Sequence, residues 1–234
     1  MRAGRPMKLS TREALNGYLF FSPGLIGFLA FMGFPILFSL YLSFTSYNIY
    51  NAPKWIGWLN YKILFTQDTL FYKSLGNTLY YVALSVPLNT ILGVLIAVLM
   101  NLWAVGGSMI VYLAGLQGVP RSLYEAATVD GAGRLRQFWN VTIPMLTPTI
   151  FFNVIMGVLG GFQVFIQAYI MTGGGPNNST MFYALYLYNK AFKDLQMGYA
   201  SAMAWVLLVV AMLLTLIIIK TSGKWVYYEG SDQK

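Results

Sequence analysis

The chain has 234 residues, of which 57% are hydrophobic and only 9% are charged. A soluble domain carries about 25% charged residues, so this composition cannot cover a water-facing surface and marks an integral membrane protein. With no cysteine and no histidine, the chain has no disulfide framework, no thiolate nucleophile or thiol metal site, and none of the usual near-neutral acid–base groups. The net charge of +8 falls at the ends of apolar segments and carries no basic run with interleaved base-stacking aromatics. It therefore points to anionic lipid headgroups and topology signals, not to nucleic acid.

In chain order, the first apolar stretch runs from Tyr18 to Phe44. That is long enough to cross the roughly 20-residue hydrocarbon core and too long for a signal-peptide core, so it reads as an uncleaved anchor. Pro23 is expected in its first turn, and Pro35 is expected to kink it. A second span is expected over Asn77–Leu102. Trp103–Leu116 is apolar but only 14 residues long; at 1.5 Å per residue it reaches about 21 Å, short of a crossing. After a polar segment, a third span is expected over Thr149–Met171 and a fourth over Ala200–Ile219. The architecture is thus an all-α, polytopic transmembrane bundle of about four full spans plus a half-span. Residues 1–16 are expected as a leader, 17–222 as the membrane domain and 223–234 as a tail.

Arg2, Arg5, Lys8 and Arg12 precede the first span. Arg121, Arg134 and Arg136 lie in the polar segment at 117–148, and Lys220, Lys224 and Lys234 come after the last span. Summed over the loops, this places both termini and the central segment in the cytoplasm. The loops at about 45–76 and 172–199 fall outside. Gly173-Gly174-Gly175-Pro176 lacks the Lys-Ser/Thr of a phosphate-binding loop, and a turn is expected there. Asp68 and Asp194 read as isolated, solvated loop charges without metal-site partners.

The central segment is the most informative. Ser122-x-x-Glu125 fits a capping box, and Pro120 fits the first turn of a helix. Gly131 is a natural stop. Ala126 and Ala127 keep one face slim enough for close approach by a partner backbone. Leu135, Phe138 and Trp139 give an apolar face on a second short helix, and Pro144 and Pro148 rule out a smooth helical run into the next span. Polar side chains inside a span are costly and often line a pathway. In the third expected span, Asn153, Gln163 and Gln167 stand out, the two glutamines at i, i+4 beside Gly160, Gly161 and Phe162. Interhelical hydrogen bonding is the competing role for these amides.

Glu125-Ala126-Ala127, then Gly131, then Val141-x-Ile143-Pro144 resembles the EAA motif of binding-protein-dependent ABC importer permeases, with conservative departures at Val141 and Ile143. Ser43-Phe44-Thr45, Leu75-Gly76-Asn77-Thr78, Tyr112-Leu113-Ala114-Gly115-Leu116-Gln117, Gly174-Gly175-Pro176 and Gln196-Met197-Gly198-Tyr199-Ala200-Ser201-Ala202 resemble the carbohydrate branch, which includes maltose- and glycerol-3-phosphate-type permeases. The resemblance implies the type I importer permease fold in a bacterial or archaeal inner membrane. It implies no catalytic role and no cofactor or metal of the chain's own, since ATP hydrolysis belongs to a separate subunit. The implied partners are an ATP-binding cassette ATPase dimer, a second homologous permease, an extracytoplasmic solute-binding protein and membrane lipid. Glu125, Ala126, Ala127, Asp130 and Gly131 would contact the ATPase. Asn101, Gly161, Phe162, Gln163 and Gln167 would line the sugar pathway.

The chain departs from that family between Met100-Asn101-Leu102 and Trp103. About two membrane segments of relatives, on the order of 60–70 residues at about 20 per span, have no counterpart there. Trp103–Leu116 would be the surviving half of the helix that enters the EAA loop. A truncated or non-transporting scaffold that binds the ATPase is the alternative this shortening raises.

Overall fold

In the computed structural model, residues 9–99 and 107–227 are described. Helix α1 (Leu9–Phe28) runs through a π-turn (Leu29–Gly33) into α2 (Phe34–Ser43). A hairpin of β1 (Thr45–Asn48) and β2 (Asn51–Trp55) and the short α3 (Leu59–Thr66) lead to α4 (Thr69–Leu99). Then come α5 (Gly107–Gln117), α6 (Arg121–Val129), α7 (Arg134–Gln137), a π-turn (Phe138–Thr142), α8 (Ile143–Phe162), α9 (Ile166–Met171), α10 (Tyr183–Tyr188), a π-turn (Asn189–Lys193) and α11 (Met197–Ser222). Among the described residues, four helical runs are long and apolar enough to cross a membrane: Asn16–Ser43, Thr69–Val98, Arg134–Phe162 and Met197–Ser222. The expected first, second and fourth spans are present.

Several expectations need correction. Pro23 lies well inside α1, not in a first turn. Its ring cannot donate to the Leu19 carbonyl, and the Ser22 hydroxyl donates there instead at 2.9 Å. The third span begins earlier and ends earlier than Thr149–Met171: the helical run starts at Arg134 and stops at Phe162. Pro144 does not break it, because the π-turn over Phe138–Thr142 precedes the ring. Ile143 N–H bonds Phe138 O, a wider i→i+5 closure, and the proline then enters as the second residue of the renewed helix. Leu29–Gly33 before Pro35 repeats the device, with Phe34 N–H donating to Leu29 O. Pro148 is accommodated as Pro23 is: the Thr147 hydroxyl donates at 2.6 Å to Pro144 O, the carbonyl that the missing N–H leaves without its helical partner.

The chain divides into two compact units, residues 1–64 with 190–205 and residues 65–189 with 206–234. In the first, the antiparallel hairpin pairs Thr45 with Trp55 and Ser46 with Lys54, an addition to the expected all-helical plan. Its junction with α2 is a buried polar knot. Asn60 Nδ2 donates to Ser43 O at 2.8 Å and Thr45 O at 2.9 Å, and Phe44 packs against Trp55, Trp58 and Tyr61. Gly198 faces the Thr45 and Leu42 carbonyls so closely that no Cβ fits. The Ser43–Thr45 and Gln196–Ala202 stretches, far apart in sequence, therefore meet. Asp194 pairs with Lys190 at 2.9 Å and is not the isolated charge expected.

In the second unit, α4, α5 and α8 pack together. Gly157 and Gly161 on α8 face Val86 and Val82 on α4; a Cβ on Gly161 would lie 2.5 Å from Val82 Cγ2. Small residues four apart let membrane helices approach closely. Val82, Val86, Val158 and Phe162 form one buried cluster; Val94, Ala97, Tyr112 and Leu146 form another. At one end, Lys73 donates to Asn177 O, and Asn77 Nδ2 donates to Asn178 O at 3.0 Å and Met181 O at 3.2 Å. Tyr183 N–H donates to Thr78 Oγ1 at 2.9 Å. Gly173 and Gly174 take positive φ in the expected turn. Asp68 is not isolated either: it accepts from Phe71 N–H at 2.9 Å and from the Tyr186 hydroxyl at 2.6 Å. Burial pushes the Tyr183 phenol well above its ordinary value, and the Asp68 charge adds to the rise.

Candidate functional site

Two features of the second unit bear on function. The first is α6, with its C-terminal cap and the start of the helical run into α8. Pro120, in extended conformation, is the N-cap, and no side chain caps the helix. The expected Ser122–Glu125 capping box is not formed, because Ser122 already lies inside the helix. The C-terminus is closed as expected: Gly131 takes φ +73, Ala132 N–H bonds Ala127 O at 2.9 Å and Gly131 N–H bonds Thr128 O at 3.0 Å. These are the paired bonds of a Schellman stop.

No residue of α6 is buried. Glu125, Ala126, Asp130 and Gly131 are exposed and Ala127 is half-buried, so all five expected contact residues lie within one helix and its cap. Exposed Val129, Leu135 and Trp139 extend this surface, with Leu135 and Trp139 on the helical run that becomes α8. The helix is nonetheless braced from behind. The Gln137 amide donates to Thr128 Oγ1 at 2.9 Å and to Ala132 O at 3.1 Å. Tyr124 and Thr142 hydroxyls share a 2.9 Å hydrogen bond.

The second feature is a cavity of about 580 Å³ between α4, α5, α8 and α9. Ser85, Asn89 and Thr90 line it from α4, Tyr112 from α5, Asn153, Gly157, Gly160 and Gly161 from α8, and Gln167 from α9. Asn153 Nδ2 donates to Thr149 O one turn back at 2.9 Å, which fixes its amide on this wall. Gly161 and Gln167 therefore come together at the cavity. Phe162 does not join them: it is buried against Val82, Val86 and Val158. Gln163 is exposed and lies off the lining.

The expected i, i+4 pair Gln163 and Gln167 does not share a helix face. The helix ends at Phe162, Gln163 N–H folds back to Gly160 O at 3.0 Å, and Phe165 leaves helical geometry before α9. Gly160-Gly161 weakens the helix by about 1 kcal/mol per glycine relative to alanine. Asn101 lies outside the described residues. Ser85, Asn89 and Thr90 escape a reading confined to the third span; Ser85 and Asn89, four apart in an apolar helix, carry the same intramembrane polar signal.

A polytopic helical membrane protein with a capped, unburied helix braced against the base of one span and a polar cavity between the spans has the organisation of a transport permease subunit. The comparisons agree. The family described as binding-protein-dependent transport system inner membrane component matches residues 18–227, and the chain belongs to that family as a multi-pass membrane protein.

The chain is 38% identical to the probable ABC transporter permease protein YesP of Bacillus subtilis (strain 168), over 95% of each chain. It is 30% identical to the multiple sugar-binding transport system permease protein MsmF of Streptococcus mutans, over 93% of this chain and 99% of that one. A chain from a bacterial ABC transporter involved in the import of the acidic polysaccharide alginate superposes with TM-score 0.74 at 19% identity, covering 93% of this chain and 99% of that one. This likeness shows a shared fold. The alignment with YesP runs over 293 residues, whereas 95% of 234 residues is about 222. About 71 positions of the match thus have no residue of this chain opposite them. The shortening expected from the sequence is real relative to this protein.

Proposed function

We propose that the chain is the membrane subunit of an ATP-driven sugar importer, carrying an oligosaccharide or related polyol. In this reading ATP hydrolysis resides on a separate ATPase dimer, so the chain is not itself an enzyme. A second homologous permease completes the translocation path, and an extracytoplasmic solute-binding protein delivers the sugar to the loops at 45–76 and 172–199. Both termini and residues 117–148 face the cytoplasm.

The observation that carries the reading is α6: a helix with nothing buried, bearing Glu125-Ala126-Ala127 on its surface and Asp130-Gly131 at its cap, braced onto the base of a span. A helix of nine residues is marginal by itself in water. Exposure of this kind suits one that docks into another protein. Relatives named for sugars support the substrate class, as does a cavity lined by amides, hydroxyls and the Tyr81 and Phe152 rings. Amides hydrogen-bond sugar hydroxyls, and aromatic faces pack on sugar rings. Gly161 and Gln167 belong to this pathway wall, whereas Phe162 and Gln163 lie off the cavity lining. The scaffold alternative finds less support, because the relatives named above are transport permeases.

The test is Glu125→Arg in the importer reconstituted with its partners. Transport is expected to fall at least about tenfold, the effect of about 1.4 kcal/mol in the transport step, while ATP hydrolysis continues without solute. Normal, coupled transport by this variant would remove the coupling assignment.

A further inference from the structure

The base of α8 receives two other parts of the chain. From one side comes the exposed helix α6, whose Tyr124 hydroxyl bonds the buried Thr142 hydroxyl at 2.9 Å. From the other comes the end of the last span. After α11 the chain turns back, with Val226 N–H bonded to Ser222 O at 2.8 Å. Trp225 then packs edge-on against Phe151, with centroids 6.0 Å apart, and Val226 is buried. Tyr227 N–H donates to Thr147 Oγ1 at 2.8 Å, and the same hydroxyl donates to Pro144 O at 2.6 Å. Tyr227 and Leu123 of α6 border one small hollow together with Pro144 and Met145.

The two prolines explain why these attachments sit here. Pro144 and Pro148 remove two helical N–H donors in the first turns of α8, at the point where motion from α6 would enter. Thr142 and Thr147 flank Pro144, and each is tied to an outside element. Hydrogen bonds and packed rings of this kind carry coupling between elements.

We propose that this base is a transmission hub: Tyr124, through Thr142, is the positioning residue that drives α8, and the Trp225–Tyr227 fold-back makes the end of α11 move with it. The inference rests on the coupling role proposed for α6. It adds the residues by which a push on α6 reaches two spans, one by a hydroxyl pair and the other by a fold-back of the tail.

The experiment uses the assembled importer in proteoliposomes. Tyr124→Phe keeps the ring and removes the hydroxyl; Thr142→Val removes its partner. Each is expected to raise ATP hydrolysed per solute moved by about threefold to tenfold, the range one side-chain hydrogen bond is worth. The double variant is expected to do no more than either alone, because both remove the same contact. Two variants that act additively, or that leave the ratio unchanged, overturn the hydroxyl link.

Because the chain has no cysteine, Ser122→Cys with Lys224→Cys gives a spin-label pair across the hub with no other thiol on this subunit. Its distance is expected to be the same in the nucleotide-free and ATP-bound states, as for closely packed elements that move as one body. Closure of the ATPase dimer is verified in the same samples by a label pair across that dimer. A distance that shifts or splits on closure overturns the tail link. If Glu125→Arg leaves coupling normal, the role of α6 itself falls. If Glu125→Arg uncouples while the hub variants are silent, only the hub falls.

Discussion

Helices α5 and α6 are neighbours in sequence and similar in length, 11 and 9 residues, yet they meet their surroundings in opposite ways. Helix α5 is wedged between α4 and α8. Tyr112 is 1% exposed, with its ring against Gly93, where a Cβ would lie 2.7 Å from Cε2. Gly115 faces Thr149 and Leu146, with a Cβ position 2.6 Å from Thr149 Oγ1. Helix α6 has no buried residue, and hydroxyl and amide groups brace it on one side. Length and helical character therefore do not distinguish a packed strut from an exposed helix. The distinction lies in which glycines and aromatics the rest of the chain closes around.

That contrast breaks most sharply at Gly115. Gly115→Leu forces a side chain into Thr149 and Leu146, and overpacking of this kind costs about 1–3 kcal/mol or more. The expected result is loss of monodisperse protein on size-exclusion chromatography in detergent and a lower unfolding temperature. An unchanged unfolding temperature would mean that α5 is not wedged.

Ala126→Leu, the matching change on α6, is expected to leave the unfolding temperature within error, because Ala126 is exposed. It should weaken pull-down of the ATPase about tenfold or more, as loss of shape fit at a buried contact does. If it destabilises the isolated chain instead, α6 packs against its own protein and the contrast disappears.

Gly131→Ala sharpens the comparison at its edge. At φ +73 an alanine is strained, by about 1 kcal/mol. Faster amide exchange is expected at Ala132, whose N–H closes the cap, with α5 untouched. The smallest effect belongs to Arg136→Gln, an exposed change on α7. Its stability should stay within about 0.5 kcal/mol, as for surface substitutions away from packing features, in a chemical denaturation series.

The first, second and fourth spans are readable without a structure. Asn16–Ser43, Thr69–Val98 and Met197–Ser222 lie close to where hydropathy alone places them. Hydropathy misplaces the third span at both ends because prolines and glycines are ambiguous signals. Pro144 suggests a break, but a π-turn absorbs it; Gly160-Gly161 falls inside the expected span, but the helix stops just after it. The surface of α6 is legible through its spacing and its glycine stop. The cavity is legible only in part: Gly161 and Gln167 reach it, whereas Phe162 faces Val82 and Val86 and Gln163 lies past the helix end. A wheel drawn on an uninterrupted helix loses its phase at the interruption, and Gln163 is misassigned for that reason. The partner of Asp194, Lys190, stands at i, i+4 and is readable from spacing, whereas one of Asp68's partners, Tyr186, lies 118 residues away and is not.

The sequence by itself determined that this is a multi-pass membrane protein, where three of its four apolar runs lie, and where a short polar helix interrupts them, because these depend on local transfer energies and backbone chemistry. Only the tertiary structure decided that Gly157 and Gly161 let α8 seat against Val86 and Val82 and that Ser85, Asn89 and Gln167 share one cavity. It alone decided too that the end of the last span is tied to the same helix base as α6. Those facts depend on which elements approach across long stretches of chain, and in a membrane that choice is made by close packing and shared hydrogen bonds, for which a linear pattern holds no record.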